Sequence, residues 1–585
     1  MVQAGVPADL PARQASQSGE PAAAAWILRF DALLATQATG ALAGLSFAVK
    51  DNIDVAGVAT TAGCPSFAYQ PAQHATVVRH LLDAGARLAG KTNLDQFACG
   101  LNGTRSPFGP VPNAFNAEYV SGGSSSGSAY VVATGQVDFA LGTDTAGSGR
   151  VPAGLNNIVG IKPSKGLISA NGVVPAARSV DCVSIFARTF EVATRVLHSA
   201  LGYDAVDPFS RRLVLASTPV GKRFRFGVPS ALQFFGDTQA QTAFADALTR
   251  MRTLGGEAVS IDYEPLSQAA ALLYESALVA ERYAAIRGFF DANELEVMEP
   301  VRSIIAQGRR YSAADVFEAQ VRLQALAQRA GTMWDSIDVL LVPTAPTHYT
   351  IEQMTRDPVA LNRNLGAYTN FVNLLDYAAV SSPSAIRPDG LPFGITLIGP
   401  CGSDLQLADL GQRYHHATGL SQGATGEALP QPQPIQGLSS GDGSMPGPER
   451  GHGCVKIAVV GAHLSGMPLN TQLTERGATL VAATQTAPHY KFFALPGTVP
   501  PKPGLLRVAE GGARIAVEVW AMPLAHYGSF VALVPSPLCI GTLALSDGSK
   551  VQGFVCEAEA TADAQDISQF GGWRAYIASL QARQP

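Results

Sequence analysis

The chain has 585 residues, 47% of them hydrophobic and 15% charged, with a net charge of −5. That length allows several domains with large cores. The acidic balance, with no long Lys/Arg run, argues against nucleic acid as a partner, and no run of 18 or more apolar residues is available to span a membrane.

Residues 22–27 are too short and sit too far in to be a secretory leader. Seven cysteines, at 64, 99, 182, 401, 454, 539 and 556, are scattered with no C-x-x-C. They read as buried small residues in a reducing compartment, not as disulfides or zinc ligands. The expectation is a soluble, cytoplasmic protein with no metal and no cofactor.

In chain order, residues 1–24, rich in Ala, Pro, Gln and Ser, predict disorder. The apolar spacing over 26–34 suits an opening helix. Leu45-Ser-Phe-Ala-Val-Lys50 is a strand-like run ending on a lysine. Such a lysine ordinarily carries its ammonium to water along an apolar stem, so Lys50 alone says little. Residues 74–87 have helical spacing, and 85–93 read as a turn into a short strand. The loop 93–107 contains Phe97, Cys99 and Leu101, too apolar for a plain surface loop, and its backbone near Gly100 is a candidate to touch substrate.

Two blocks of small hydroxylated residues follow, Ser121-Gly-Gly-Ser-Ser-Ser-Gly-Ser128 and Gly142-Thr-Asp-Thr-Ala-Gly-Ser-Gly-Arg150, around a strand-like stretch over 129–141. Glycine lets backbone N–H groups approach a ligand, so such loops suit a phosphate cradle or an oxyanion hole. The spacing fits neither G-x-x-x-x-G-K-[ST] nor a G-x-G-x-x-G after a strand, which disfavours phosphate. Gly123-Ser-Ser-Ser-Gly127 does fit G-x-S-x-G with Ser125 as nucleophile. That elbow needs a buried strand before it, and 113–120 does not read as one.

Further on, strand-like runs at 139–142, 224–228 and 339–343 alternate with helical stretches. They predict an α/β core with a mixed sheet covered by helices on both faces. One helix is expected over 267–290 and another over 313–335, and 390–399 with a helix to 416 closes this portion. Residues 420–453 hold almost no core-forming side chains and predict a flexible linker. Beyond it, β signals without βαβ spacing over 454–585 predict a smaller, β-barrel-like α+β domain.

Lys50, Gly122-Gly123-Ser124, and Ser148 after Asp144-Thr-Ala-Gly147 together resemble the amidase signature family. The intervals, 74 residues from Lys50 to Ser124 and 24 from Ser124 to Ser148, match it, and the resemblance covers 25–419. It implies that Ser148 is the nucleophile, that Ser124 passes a proton across a cis peptide bond, and that Lys50 is the terminal base. The chemistry suits the residues. A serine hydroxyl needs a base, and a lysine can serve only when neutral, far below its free pKa of about 10.4. Burial beside Phe47, Ala48 and Val49 would lower it. The N–H groups of Thr145, Ala146, Gly147 and Ser148 would then face the oxyanion.

Tyr274 and Arg282 are eight residues apart, about 80° round a single helix but about 12 Å along it. Taken alone, they read as a core tyrosine and an exposed arginine. With Ala146 in the second block and the appended domain, they resemble the allophanate-hydrolysing members of the family. That resemblance implies that Tyr274 and Arg282 bind a substrate carboxylate. It also implies hydrolysis of urea-1-carboxylate to ammonia and N-carboxycarbamate, late in urea or cyanuric acid breakdown. The appended domain resembles a γ-glutamyl-cyclotransferase-like one that decarboxylates the first product without metal. Its candidates are His489 and Tyr490, with Lys491, His526, Tyr527 and Arg574. Two alternatives stay open: a general small-amide amidase or an ammonia-releasing glutamine amidotransferase subunit, and a second domain that is only an assembly module for partner enzymes of the pathway. A homodimer acting on a small-molecule substrate is the expected form.

Overall fold

Among the described residues, twelve strands pair into one sheet in the first of two units, 1–448. They are β1 (Ala12–Gln14), β2 (Trp26–Leu34), β3 (Ser46–Lys50), β4 (Arg87–Thr92), β5 (Phe139–Asp144) and β6 (Val159–Lys162). There follow β7 (Cys182–Ala187), β8 (Phe224–Pro229), β9 (Gly256–Ile261), β10 (Val339–Pro343), β11 (Ala378–Ile386) and β12 (Pro392–Gly399). The order across the sheet is β1-β2-β4-β3-β5-β7-β6-β11-β12-β10-β8-β9. β3 runs parallel to both β4 and β5, whereas β5–β7 and β11–β12 are antiparallel, so the sheet is mixed. The computed structural model describes residues 12–14, 23–438, 454–498 and 500–582.

Side chains alternate across a strand, and here the alternation sorts residues between two helical layers. Phe47 and Val49 of β3, Phe139 and Leu141 of β5, and Val339 and Leu341 of β10 join one core. The helices Thr76–Asp83, Phe190–Ala200, Thr238–Thr253 and Asp404–Thr418 contribute to it. The residues between them point the other way: Ala48 and Ala140 pack with helix Ser126–Ala133, and Leu340 and Val342 with helix Glu264–Glu275. Both faces are covered, as near-continuous apolar strands require. Lys50, in step with Ala48, therefore belongs to the face that carries Ser126–Ala133.

Several expectations change. Residues 26–34 form a strand, because pairing with β4 and β1 outweighs a helical spacing that local propensity only weakly supports. The stretch 129–141 is not one strand: its first part completes helix Ser126–Ala133, and β5 starts only at Phe139. The single helix over 267–290 is interrupted. Ser276 is extended (φ −134°, ψ 179°), its hydroxyl accepts from the Leu278 amide, and it caps a short turn before helix Ala280–Asn293.

Of the stretch read as disordered, only 12–14, paired with β2, and 23–24 lie among the described residues. Of the linker, 439–453 lies outside them, but the earlier part is fastened to the first unit. Ile435 is buried in the main core, and the Ala424 amide donates to Ala133 O at 2.8 Å. Cys64, Cys99, Cys182 and Cys556 are buried, but Cys539 is exposed, so the cysteines are not uniformly core residues. Among the described residues no helix is long and apolar enough to cross a membrane.

The second unit, 449–585, contains β13 (Cys454–Val459), β14 (Thr479–Gln485), β15 (Tyr490–Ala494) and β16 (Pro503–Arg507). It continues with β17 (Ala516–Pro523), β18 (Leu538–Ala544), β19 (Lys550–Cys556) and β20 (Gln565–Asp566). They form a five-stranded sheet, β14-β17-β13-β19-β18, and a three-stranded one, β16-β15-β20. Both sheets share one core with helix Trp573–Gln581, in which Ile457, Phe492, Leu505, Val519 and Trp573 meet.

A fragment ending at 438 should be more stable than one ending at 419, because the shorter piece exposes the pocket that Ile435 fills. Burying such a side chain contributes about 1.5–3 kcal/mol. Equal urea midpoints for the two fragments would show that 420–438 adds nothing to the fold.

Candidate active site

Lys50 ends β3, between β4 and β5 in the sheet, with no exposed surface. Its ammonium nitrogen lies 2.7 Å from Ser124 Oγ and 2.7 Å from Thr143 Oγ1. Neither partner is a carboxylate. Burial favours the neutral amine and lowers the lysine to about pKa 7, against the opposing fields of Asp95, Asp181 and Asp144. The Asp95 carboxylate is already occupied, taking the amides of Asn102 (3.2 Å), Gly103 (3.1 Å) and Arg105 (2.9 Å).

Ser124 follows a cis Gly123–Ser124 peptide bond. Residue 123 must lack a side chain, since a Cβ there would lie 2.2 Å from Asp95 Oδ2. Ser125, the elbow candidate, follows a loop, not a strand, and its hydroxyl is engaged with the backbone of Thr143. Ser148 is buried in the turn after β5. Its hydroxyl donates to the Gly100 carbonyl at 3.4 Å and forms no hydrogen bond with Ser124. The sequence-derived set is therefore joined in two parts: Lys50 to Ser124, and Ser148 to Gly100.

Asp144 organises the turn that carries Ser148. It accepts the amides of Gly147 (2.8 Å) and Gly149 (3.0 Å), and Arg150 grips it through Nε and Nη2, each at 2.9 Å. Burial alone would raise this carboxyl, but Arg150, with Lys162 and the Gly149 amide, more than offsets it and holds the group below the usual range. One expected oxyanion donor is thereby spent. The Gly147 N–H points at Asp144, leaving Thr145, Ala146 and Ser148 from the set of four. The Thr145 hydroxyl donates to Asp181, whose carboxyl also takes the amides of Ala176 and Ala177. Burial pushes Asp181 up to about pKa 6.

The break at Ser276 removes the 12 Å problem of a continuous helix. Arg282, in the second segment, folds back so that Nη2 donates to the Tyr274 hydroxyl at 3.2 Å, with the guanidinium 5.1 Å from the ring centre. Tyr274 packs on the cluster that contains Ala146, next to the Ser148 turn. Arg282 is only 4% exposed, yet among the described residues Nε and Nη1 have no hydrogen-bond partner. Leaving buried charged donors unpaired is costly, so the arrangement favours an anionic ligand at this guanidinium.

The second unit departs from expectation. His489 is exposed, while Tyr490 is 1% exposed and its hydroxyl accepts the Ala544 amide at 2.9 Å, a structural role. Lys491 pairs with Asp566 and Arg574 with Glu518, whereas His526 is exposed and Tyr527 packs at the edge of the core. A cavity of about 240 Å³ lies elsewhere, lined by His463, Gln472, Lys502, Phe530 and Phe554. The His463 ring stacks on Phe554 at 5.1 Å, and its Nε2 is 2.9 Å from Gln472 Oε1. Burial keeps this imidazole below its ordinary pKa. The available signal was the strand end, where β13 runs into Gly461-Ala-His463 as β3 runs into Lys50.

Comparison with known proteins agrees with this division. Residues 17–408 match the amidase family, and 455–578 match the allophanate hydrolase C-terminal domain. The urea amidolyase of Saccharomyces cerevisiae is 44% identical over 554 residues, covering 93% of this chain but 30% of that protein. The chain thus spans under a third of that relative. A solved structure of Kluyveromyces lactis allophanate hydrolase superposes with a TM-score of 0.69 at 43% identity, covering 92% of this chain and 89% of that one. A glutamyl-tRNA(Gln) amidotransferase component from Halobacterium salinarum is 35% identical, but over only 62% of this chain. The chain belongs to the amidase family and carries, after its amidase domain, an allophanate hydrolase C-terminal domain.

Proposed function

We propose that this protein hydrolyses allophanate, and that the observation carrying this choice among amides is the buried Arg282 guanidinium with two unpaired nitrogens beside the Ser148 turn. A substrate with a carboxylate next to its amide supplies the missing partner, and the planar fork of arginine suits a two-point contact. Likeness to urea amidolyase and to an allophanate hydrolase supports the same substrate. The amidotransferase alternative accounts for neither the pairing of Arg282 with Tyr274 nor residues 454–585.

In this reading neutral Lys50 accepts the Ser124 proton while Ser124 accepts that of Ser148, whose hydroxyl turns from Gly100 toward Ser124. Ser148 Oγ attacks the amide carbonyl carbon, and the amides of Thr145, Ala146 and Ser148 stabilise the oxyanion. The C–N bond to the terminal nitrogen breaks, and the proton stored on Lys50 returns through Ser124 to the departing ammonia. Water then attacks the acyl-enzyme, activated by the same relay, and releases N-carboxycarbamate. For that product the second unit offers the cavity at His463, which supports decarboxylation there over a purely assembling role. The sequence relation to urea amidolyase favours urea breakdown as the setting.

The acidic limb of kcat/KM should report Lys50. The neutral amine is the active form, so activity should rise with pH through about 7, where the buried lysine loses its proton. Lys50→Met should remove that limb together with the activity. A limb that stays near pH 10 would mean that the lysine is not desolvated in the working enzyme.

Arg282→Lys should raise KM for allophanate with a smaller effect on kcat. Losing one charge-assisted hydrogen bond costs about 1.5–3 kcal/mol, or roughly tenfold to a hundredfold in kcat/KM. A neutral amide of the same size should lose much less. Equal losses on charged and neutral amides would make Arg282 a structural residue.

A further inference from the structure

The segment that leaves the amidase domain returns to the two helices that begin beside the catalytic serines. Ser124 lies two residues before the start of helix Ser126–Ala133, and Ser148 three residues before that of helix Val151–Leu155. Both helices are wholly buried. Their far ends meet the same short stretch. The Ala424 amide donates to Ala133 O at 2.8 Å, the one hydrogen bond this last helical carbonyl makes among the described residues. The Asn157 side chain, two residues past the second helix, donates to Ser421 O at 3.0 Å and to Gly423 O at 2.9 Å. The stretch is itself closed into a turn by Gln422 N to Glu427 O and Gln422 Nε2 to Ala428 O.

A helix end buried without a partner for its last carbonyls is unfavourable, so this turn supplies what the sequence of the helix cannot. Asn157 adopts φ +55°, a conformation costly for most side chains, and in it Nδ2 bridges two strap carbonyls. Gly423 (φ +54°) sits so close that an added Cβ would lie 2.5 Å from Ala133 O and 3.0 Å from its Cα. Gly426 (φ +77°), in the same stretch, would meet nothing within 4 Å.

We propose that residues 421–427 act as a positioning strap. By holding the far ends of these two helices together, the strap fixes the distance between Ser124 and Ser148 at their near ends. Neither strap contact touches the 264–293 segment that carries Tyr274 and Arg282, so the strap governs the proton relay and not substrate capture. The inference rests on the assignment of Ser124 and Ser148 given above.

The two strap glycines provide a matched pair in the full chain. Gly423→Ala and Gly426→Ala carry the same left-handed backbone penalty, but only the first drives a methyl group into the helix end. Gly423→Ala, and Asn157→Gly, which keeps the backbone conformation and removes the amide, should lower kcat for allophanate by about tenfold with KM unchanged, since small misplacements of reacting groups are costly. Gly426→Ala should keep the wild-type kcat. Hydrogen exchange at the amides of 126–133, measured without substrate, should quicken in Gly423→Ala and not in Gly426→Ala. If Gly423→Ala and Asn157→Gly lose only thermal stability, with kcat at low temperature and exchange over 126–133 unchanged, the strap is structural and the inference is wrong. A wild-type protein that releases no ammonia from allophanate would count against the functional reading instead, and the exchange comparison would still decide for or against the strap.

Discussion

The structure depends on a lysine kept entirely out of water. An ammonium in such a place is far costlier than an amine, and among the described residues no carboxylate pairs directly with it. Lys50 faces two hydroxyls, from Ser124 and Thr143, which can accept from a charged group but can also donate to a neutral one. The nearby acids are each committed elsewhere. Asp95 is held by three backbone amides, Asp144 by Arg150 and two amides, and Asp181 by Thr145 and two amides. Their fields still reach Lys50 but do not restore its charge preference, and the balance settles near neutrality. That is the range in which a base is useful at physiological pH.

The buried Asp144–Arg150 pair serves the same end at the second serine. Replacing such a pair with apolar side chains often costs a protein nothing in stability, whereas breaking it leaves a buried charge. Its value here lies in geometry. Arg150 also donates to Thr369 O and Asn373 Oδ1, while Asn373 Nδ2 returns to Asp144 O. The turn from Thr145 to Gly149 is thus tied to the β5 end on one side and to 369–373 on the other. Gly147 is needed for the same closeness, because a Cβ at its φ of +135° would strike the Thr369 hydroxyl at 2.4 Å.

Much of this was legible in the amino-acid sequence where the chemistry is local. The strand ending in Lys50 and the two Ser/Gly blocks supply the hydroxyls of Ser124 and Thr143 that meet the lysine, though Ser148 keeps apart on Gly100, and the alternating strands and helices foretold a covered mixed sheet. What was hidden depends on long-range pairing. Trp26 to Leu34 looked helical because no local signal announces β4 as a neighbour. Tyr274 and Arg282 looked 12 Å apart because Ser276, an ordinary residue within an apolar run, gave little warning of an interruption. Gly147 seemed a free donor until Asp144 was seen to claim it. His489 drew attention by its neighbours Tyr490 and Lys491, yet His463 is the one that lines a cavity. The Pro- and Gly-rich exit from the amidase domain seemed featureless because it is held largely through its own main-chain groups, which a sequence does not advertise.

Everything proposed for the reaction requires that Ser148, not Ser124 or Ser125, forms the covalent bond to substrate. Acid-quenching the enzyme within one turnover of allophanate and mapping the acylated peptide by mass spectrometry tests this directly. An acyl group is expected on Ser148 in the peptide after β5, lost in Ser148→Ala and reduced in Ser124→Ala. Acylation of Ser125, or a Ser148→Ala protein that still accumulates the acyl-enzyme, would contradict it.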